Sequence, residues 1–316
     1  MLSYKLFNQE TLEICTSLKG DFAALASGGK VSVYKVSDQF DFELIDKFKH
    51  RDVSHMRFNH CAEVLYFLDT SGRFYRYDIY SNKIIEIVQS SEKDECFDKI
   101  VLLPDGDCVW GANNKLIEFC NEECKIKVIH KFESYRKSSI YYSVKNDTIC
   151  VMAFDRKLKR WVEAYLTPDG NVVGEKTILD KKVTSAEFIR CPKFEQGYYF
   201  RYSNWFQNKI FVLNKECESV LSIKLNRNAV ENISISEDEQ KVAVSYFSDD
   251  SVYLYSLKSG ELLAVFDTSK LLGEKYIPSF FMDFALNDKA LIVNGFTMQE
   301  QSETFLFDIK NPSREE

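Results

Sequence analysis

Histidine, proline, glycine and tryptophan are all scarce in this 316-residue chain: four His, five Pro, twelve Gly and three Trp. With so few glycines, no Walker-type or dinucleotide-type loop is present. Ser27-Gly28-Gly29-Lys30 is too short to cradle a phosphate chain and reads as a hairpin turn. Five prolines leave no proline-rich linker, and no apolar run approaches the ~20 residues of a membrane span. The opening stretch Met1–Glu10 carries polar residues throughout, so no secretion signal is expected and a cytoplasmic location follows. No Cys-x-x-Cys pair exists. Cys120 and Cys124 stand four apart with no second pair at metal-ligand spacing, so no structural metal is expected. Nine cysteines, an odd number, suit a reducing compartment in which Cys serves as a small apolar residue. A net charge of -7 argues against unspecific binding to DNA or anionic membranes.

Catalytic constellations are equally thin. No Gly-x-Ser-x-Gly elbow occurs, and no motif asks for a cofactor. His50, His55 and His60 are evenly spaced, but they fall before, within and after one strand and point in different directions, which makes them poor joint ligands. His130 falls in an outer strand and is expected at the surface. Asp249-Asp250 and Glu237-Asp238-Glu239 lie in turns, where carboxylates are usually solvated.

What the chain has in abundance is strand signal. Short runs rich in Val, Ile, Phe and Tyr alternate with turn residues along the whole length. The clearest unit has four strands, Glu231–Ile235, Lys241–Phe247, Ser251–Ser256 and Leu262–Asp267, joined by three short turns. The same order recurs, with third strands ending near Tyr34, Tyr77, Phe119, Tyr165, Leu213, Tyr255 and Phe307. Successive gaps are 43, 42, 46, 48, 42 and 52 residues, close to the roughly 40–45 of a four-stranded propeller blade. The two longest gaps carry insertions, before Tyr198 and between Thr297 and Glu303. Turns after the first strands, such as Lys19-Gly20-Asp21, Pro104-Asp105-Gly106-Asp107, Lys145-Asn146-Asp147 and Asn287-Asp288-Lys289, hold residues that tolerate positive φ.

These features predict an all-β fold, a single seven-bladed β-propeller of antiparallel blades, with six and eight as the neighbouring counts. The blades fall at 9–50, 51–91, 92–134, 135–180, 181–226, 227–270, and 271–310 with 1–8. The last unit lacks a fourth strand, and Tyr4-Lys5-Leu6-Phe7 precedes the first, so the N-terminal strand is expected to join the last blade and cover its open edge.

Tyr77-Asp78 followed by Ser81-Asn82-Lys83, Tyr255-Ser256 followed by Ser259-Gly260-Glu261, and Phe307-Asp308 resemble the Trp-Asp dipeptide and following turn of WD40-repeat propellers. The likeness extends over essentially the whole chain. There is no Gly-His pair and no true Trp-Asp pair, so the His, Ser/Thr, Trp and Asp network of regular WD40 blades cannot be assembled in most units. The resemblance implies the architecture and a general interaction role.

One segment departs from the acidic average. From Tyr135 to Trp161 seven Lys or Arg face only Asp147 and Asp155, a net of +5. The hairpin Asp155–Trp161 carries Arg156, Lys157, Lys159, Arg160 and Trp161; the equivalent hairpin of the next unit carries Arg201, Tyr202, Trp205 and Phe206. In a propeller these loops share a face with Tyr135-Arg136-Lys137 and Lys181-Lys182. Exposed Trp, Tyr and Arg anchor interfaces, which makes this set a candidate docking site for an acidic or phosphorylated protein segment. The competing expectation is that Trp161 and Trp205 pack between blades and the lysines form a solvated face. Function is accordingly expected to be non-catalytic, a scaffold or interaction module with a protein or peptide partner. Two alternatives stand beside it. One is a propeller hydrolase or lactonase using inner-strand residues such as His55, Arg57, Glu187 and Asp283. The other is a nucleic-acid binder losing affinity when Arg156, Lys157, Lys159 and Arg160 become Ala.

Overall fold

The alternation of apolar runs and turn residues resolves into strands over every described segment. The computed structural model describes residues 4–7, 13–37, 41–88, 100–112, 115–179, 186–189, 196–202, 208–227, 229–247, 249–267, 276–297 and 302–309. Among them stand seven four-stranded antiparallel sheets and no helix long and apolar enough to cross a membrane. Two compact units are distinguished, one of Met1–Leu12 with Ser185–Glu316 and one of Glu13–Thr184.

The first unit opens with β1 (Tyr4–Phe7). The Glu13–Thr184 unit follows with four blades. Blade one holds β2 (Glu13–Thr16), β3 (Phe22–Ser27), β4 (Lys30–Val36) and β5 (Phe42–Lys49). Blade two holds β6 (Val53–Phe58), β7 (Val64–Asp69), β8 (Phe74–Asp78) and β9 (Lys83–Val88). Blade three holds β10 (Val101–Leu102), β11 (Cys108–Ala112), β12 (Lys115–Cys120) and β13 (Lys125–Lys131). Blade four holds β14 (Tyr135–Ser143), β15 (Thr148–Asp155), β16 (Arg160–Leu166) and β17 (Val172–Leu179).

Burial explains the strand compositions. Within the Glu13–Thr184 unit blade two is covered on both faces by blades one and three, and its second strand reads as a continuous apolar run, Val64–Asp69, where every residue is buried. Fourth strands are half-covered and alternate, as in Phe42–Lys49. Blades one and two share a core of Ala24, Val31, Val33, Phe58, Leu65, Phe67 and Tyr77. Blades two and three meet through Phe74 and Trp110, stacked at 4.7 Å. Blades three and four pack Val109 and Leu116 against Ile140, Val151 and Val162. The Gly28-Gly29 turn has φ of 52° and 73°, the two positive values of a type I′ hairpin, which only glycine adopts without strain.

The first unit continues with blade five, β18 (Ala186–Phe188), β19 (Gly197–Tyr202), β20 (Lys209–Asn214) and β21 (Ser219–Lys224). Blade six comprises β22 (Val230–Ile235), β23 (Lys241–Tyr246), β24 (Ser251–Ser256) and β25 (Leu262–Asp267). Blade seven comprises β26 (Tyr276–Ala285), β27 (Ala290–Thr297) and β28 (Ser302–Asp308), with β1 as its fourth strand: Tyr4 pairs with Phe307 and Phe7 with Thr304. Blades six and seven share a core of Leu254, Phe266, Leu291, Val293, Phe305 and Phe307.

In three blades one buried Asp organises the second-to-third-strand turn. Asp69 accepts Tyr75 Oη at 3.3 Å, Asp249 accepts Tyr253 Oη at 3.1 Å, and Asp155 accepts Ser134 Oγ at 2.9 Å.

Candidate interaction surface

The basic hairpin of blade four is shaped by Asp155. Its Oδ1 also accepts the backbone N–H groups of Lys157 at 2.9 Å and Leu158 at 3.1 Å, so the turn Arg156–Lys159 is cinched from beneath. Burial of Asp155 works against its ionisation. The Leu158 N–H, the Ser134 hydroxyl, the Lys157 N–H and the Arg160 guanidinium outweigh that, and the carboxyl is held below the usual aspartate range. Arg156 N–H bonds Ser134 O at 3.0 Å, which ties the turn to the connection from blade three. Arg156, Lys157 and Lys159 are left exposed above this frame.

Three residues expected on that surface are engaged elsewhere. Trp161 is only 8% exposed, its ring 5.5 Å from Phe154, so it belongs to the packing of blade four and not to a docking surface. Arg160 is half-buried and turns along the sheet to Glu175 Oε1 at 2.5 Å and Thr177 Oγ1 at 2.8 Å. Tyr135 likewise bonds Glu175 and stacks on Phe132. Arg160 and Trp161 share a reason: β16 is the third strand of its sheet, with β15 and β17 on either side to receive long side chains. The side chains of Arg136, Lys137 and Tyr202, and the residues Lys181, Lys182, Trp205 and Phe206, lie outside the described residues. Arg201 is half-buried and donates to Val230 O at 3.2 Å in its own unit. His130 is half-buried, not at the surface: its Nδ1 lies 3.0 Å from Gly170 O, and its ring meets Phe132.

Of the residues suggested for a catalytic site, His55 and Arg57 lie on β6, Glu187 on β18 and Asp283 on β26, where Asp283 accepts Ser234 Oγ at 2.6 Å. No group of three potential metal-ligating side chains occurs among the described residues.

The wider charge pattern was not legible from composition. Each blade has one end bearing its second-to-third-strand turn and the connection from the preceding blade. The opposite end bears the other two turns. In the Glu13–Thr184 unit the blades stand side by side in one sense: His60 of blade two reaches Leu103 O of blade three at 3.2 Å between equivalent turns. At the first end the described loops expose Arg51, Arg73, Arg156, Lys157 and Lys159 against Asp52 and Glu133. At the other end the described turns hold Asp21 and Asp41 in blade one and Glu63 in blade two. Blade three adds Asp105, Asp107, Glu122 and Glu123, and blade four adds Asp147 and Asp169, against Lys19 and Lys145 alone. Among the described loops of this unit one end is basic and the other acidic, within a chain of net charge -7. Arg51 and Arg73 escaped detection because each is a lone base in its own turn. Only assigning turns to ends brings them together with blade four.

Seven four-stranded antiparallel blades make this chain a β-propeller. Two solved structures match it over 98% of its length and 100% of theirs, each at 10% identity. One is the β-propeller domain of Cps50 (Swd1) from Myceliophthora thermophila, at a TM-score of 0.67. The other is virginiamycin B lyase from Staphylococcus aureus, at 0.66. One likeness is to a propeller domain and the other to a lyase, and at this identity both speak to the fold alone. No family model and no curated protein sequence matches the chain.

Proposed function

We propose that this propeller is a non-catalytic interaction module that binds an anionic segment of a protein partner through the second-to-third-strand turn of blade four. The observation that carries this is the Asp155 frame, which commits a buried carboxylate to holding three basic side chains outward on a short, fixed turn. A rigid turn loses little conformational entropy on binding, and exposed bases on a scaffold attract and orient acidic or phosphorylated chains. The fold supports such a role because blades present loops of free sequence on a fixed frame.

The test is fluorescence anisotropy with a labelled peptide of about twenty glutamates at low salt, where charge contacts are least screened. The variant Arg156→Ala/Lys157→Ala/Lys159→Ala is expected to bind several-fold more weakly than wild type, with an unchanged melting temperature because all three side chains are solvated. Equal affinity of the two proteins would refute the assignment.

A further inference from the structure

Directly opposed residues of antiparallel strands stabilise a sheet when their charges are opposite and destabilise it when they are alike. At the acidic end the third and fourth strands obey this rule: Lys35 faces Glu43, Asp78 faces Lys83, and Glu118 faces Lys127 with an ion pair of 2.7 Å. At the basic end blades one and three break it in the same way, while blades two and four place Phe74 opposite Val88 and Trp161 opposite Leu179 there. The first residue of the third strand faces the last residue of the fourth as Lys30 opposite Lys49 in blade one and Lys115 opposite Lys131 in blade three. Blade five of the other unit repeats it with Lys209 opposite Lys224. Lys30, Lys49 and Lys131 are exposed and have no carboxylate within 4.0 Å among the described residues. A like-charged pair repeated at one structural position weakens every sheet it occupies. On an outer strand such lysines also deter edge-to-edge pairing, and an anion outside the sheet would offset their mutual repulsion.

We infer that the basic end of the Glu13–Thr184 unit is a docking surface for an extended, carboxylate-rich segment of a protein partner, with the Lys30/Lys49 pair and Lys131 as contact points. This deepens, and rests on, the assignment of the blade-four turn as a binding element. An extended segment fits better than a single phosphate because the bases stand on separate blades as point charges. Phosphate recognition favours guanidinium forks converging on one spot. A carboxylate-rich chain also fits better than single-stranded nucleic acid, which stacks its bases on exposed aromatics. The described aromatics near this end are already engaged: Trp161 is buried, Tyr135 stacks on Phe132, and the His50 ring lies against Phe67 and Tyr75.

The deciding variant is Lys49→Glu/Lys131→Glu, which leaves blade four untouched and turns both like-charged pairs into opposite ones. It is expected to melt higher than wild type and to bind the polyglutamate peptide about ten-fold more weakly. Lys49→Gln/Lys131→Gln should fall between the two. Unchanged affinity in the Glu variant would overturn the inference. So would tighter wild-type binding of a singly phosphorylated peptide or a thymidine oligonucleotide than of polyglutamate. If only the blade-four triple variant loses binding, the lysine pairs are eliminated and the blade-four assignment stands. If only the lysine-pair variant loses it, the blade-four assignment falls, and the inference that rests on it falls with it.

Discussion

Asp155 is the residue on which the shape of the basic turn depends, and its removal has a calculable consequence. Asp155→Ala deletes the acceptor of three hydrogen bonds, from Ser134 Oγ and from the N–H groups of Lys157 and Leu158. Bonds to a charged acceptor contribute more than neutral ones. Because the donors can turn to water once the side chain is gone, the net loss is about 2–4 kcal/mol. A domain of this length has an unfolding entropy that converts each kcal/mol into roughly 1.5 °C of melting temperature, giving a fall of about 3–6 °C. The effect is linked to pH. The carboxyl titrates below its ordinary range in the folded protein, so the stabilisation is fully present above that range and disappears as pH falls through the lowered value. Thermal melts of wild type and variant should therefore differ most near neutral pH and converge in acid. A gap independent of pH, or no gap at neutral pH, would refute the view that an ionised Asp155 holds the turn.

Two further outcomes follow from the same geometry. Gly170→Ala would place a Cβ 2.2 Å from Ile129 O at a φ of +89°, so strain of order 1–3 kcal/mol from φ alone, plus the backbone clash, should lower the melting temperature measurably. A melt like that of wild type would show that the turn is not seated on β13 as described. Arg160→Ala should leave polyglutamate affinity within about two-fold and reduce stability by no more than ~1 kcal/mol, because its guanidinium is spent on Glu175 and Thr177 within the sheet. A large loss of affinity would return Arg160 to the docking surface.

The architecture was legible because propeller strands differ in burial and the difference is written as residue type. Tyr34, Tyr77, Phe119, Tyr165, Leu213, Tyr255 and Phe307 all fall in third strands, and in blade six the third and fourth strands have the expected bounds. The basic hairpin was legible too, since local charge needs no tertiary information. Trp161 could be read two ways because a tryptophan before an apolar strand packs or protrudes according to what its neighbours leave open. Phe154 and the half-covered β17 decide for packing. His130 was misplaced for a related reason: an outer strand meets solvent unless the next blade's turn rests on it, as Gly170 does here. The lysine pairs were hidden most deeply. Their members are separated by a whole strand and turn, and only the register of each ladder sets them opposite one another.

Carbodiimide coupling of a glutamate-rich peptide to the intact chain, with the linked lysines located by peptide mapping, tests the docking surface most directly, because it forms a bond only where a carboxylate rests against an amine. Coupling is predicted at Lys30, Lys49, Lys131, Lys157 and Lys159, with Lys19 and Lys145 at the acidic end left unmodified although both are exposed. Equal coupling at Lys19 and Lys145 would contradict the account, since the peptide would then have no preference between the two ends.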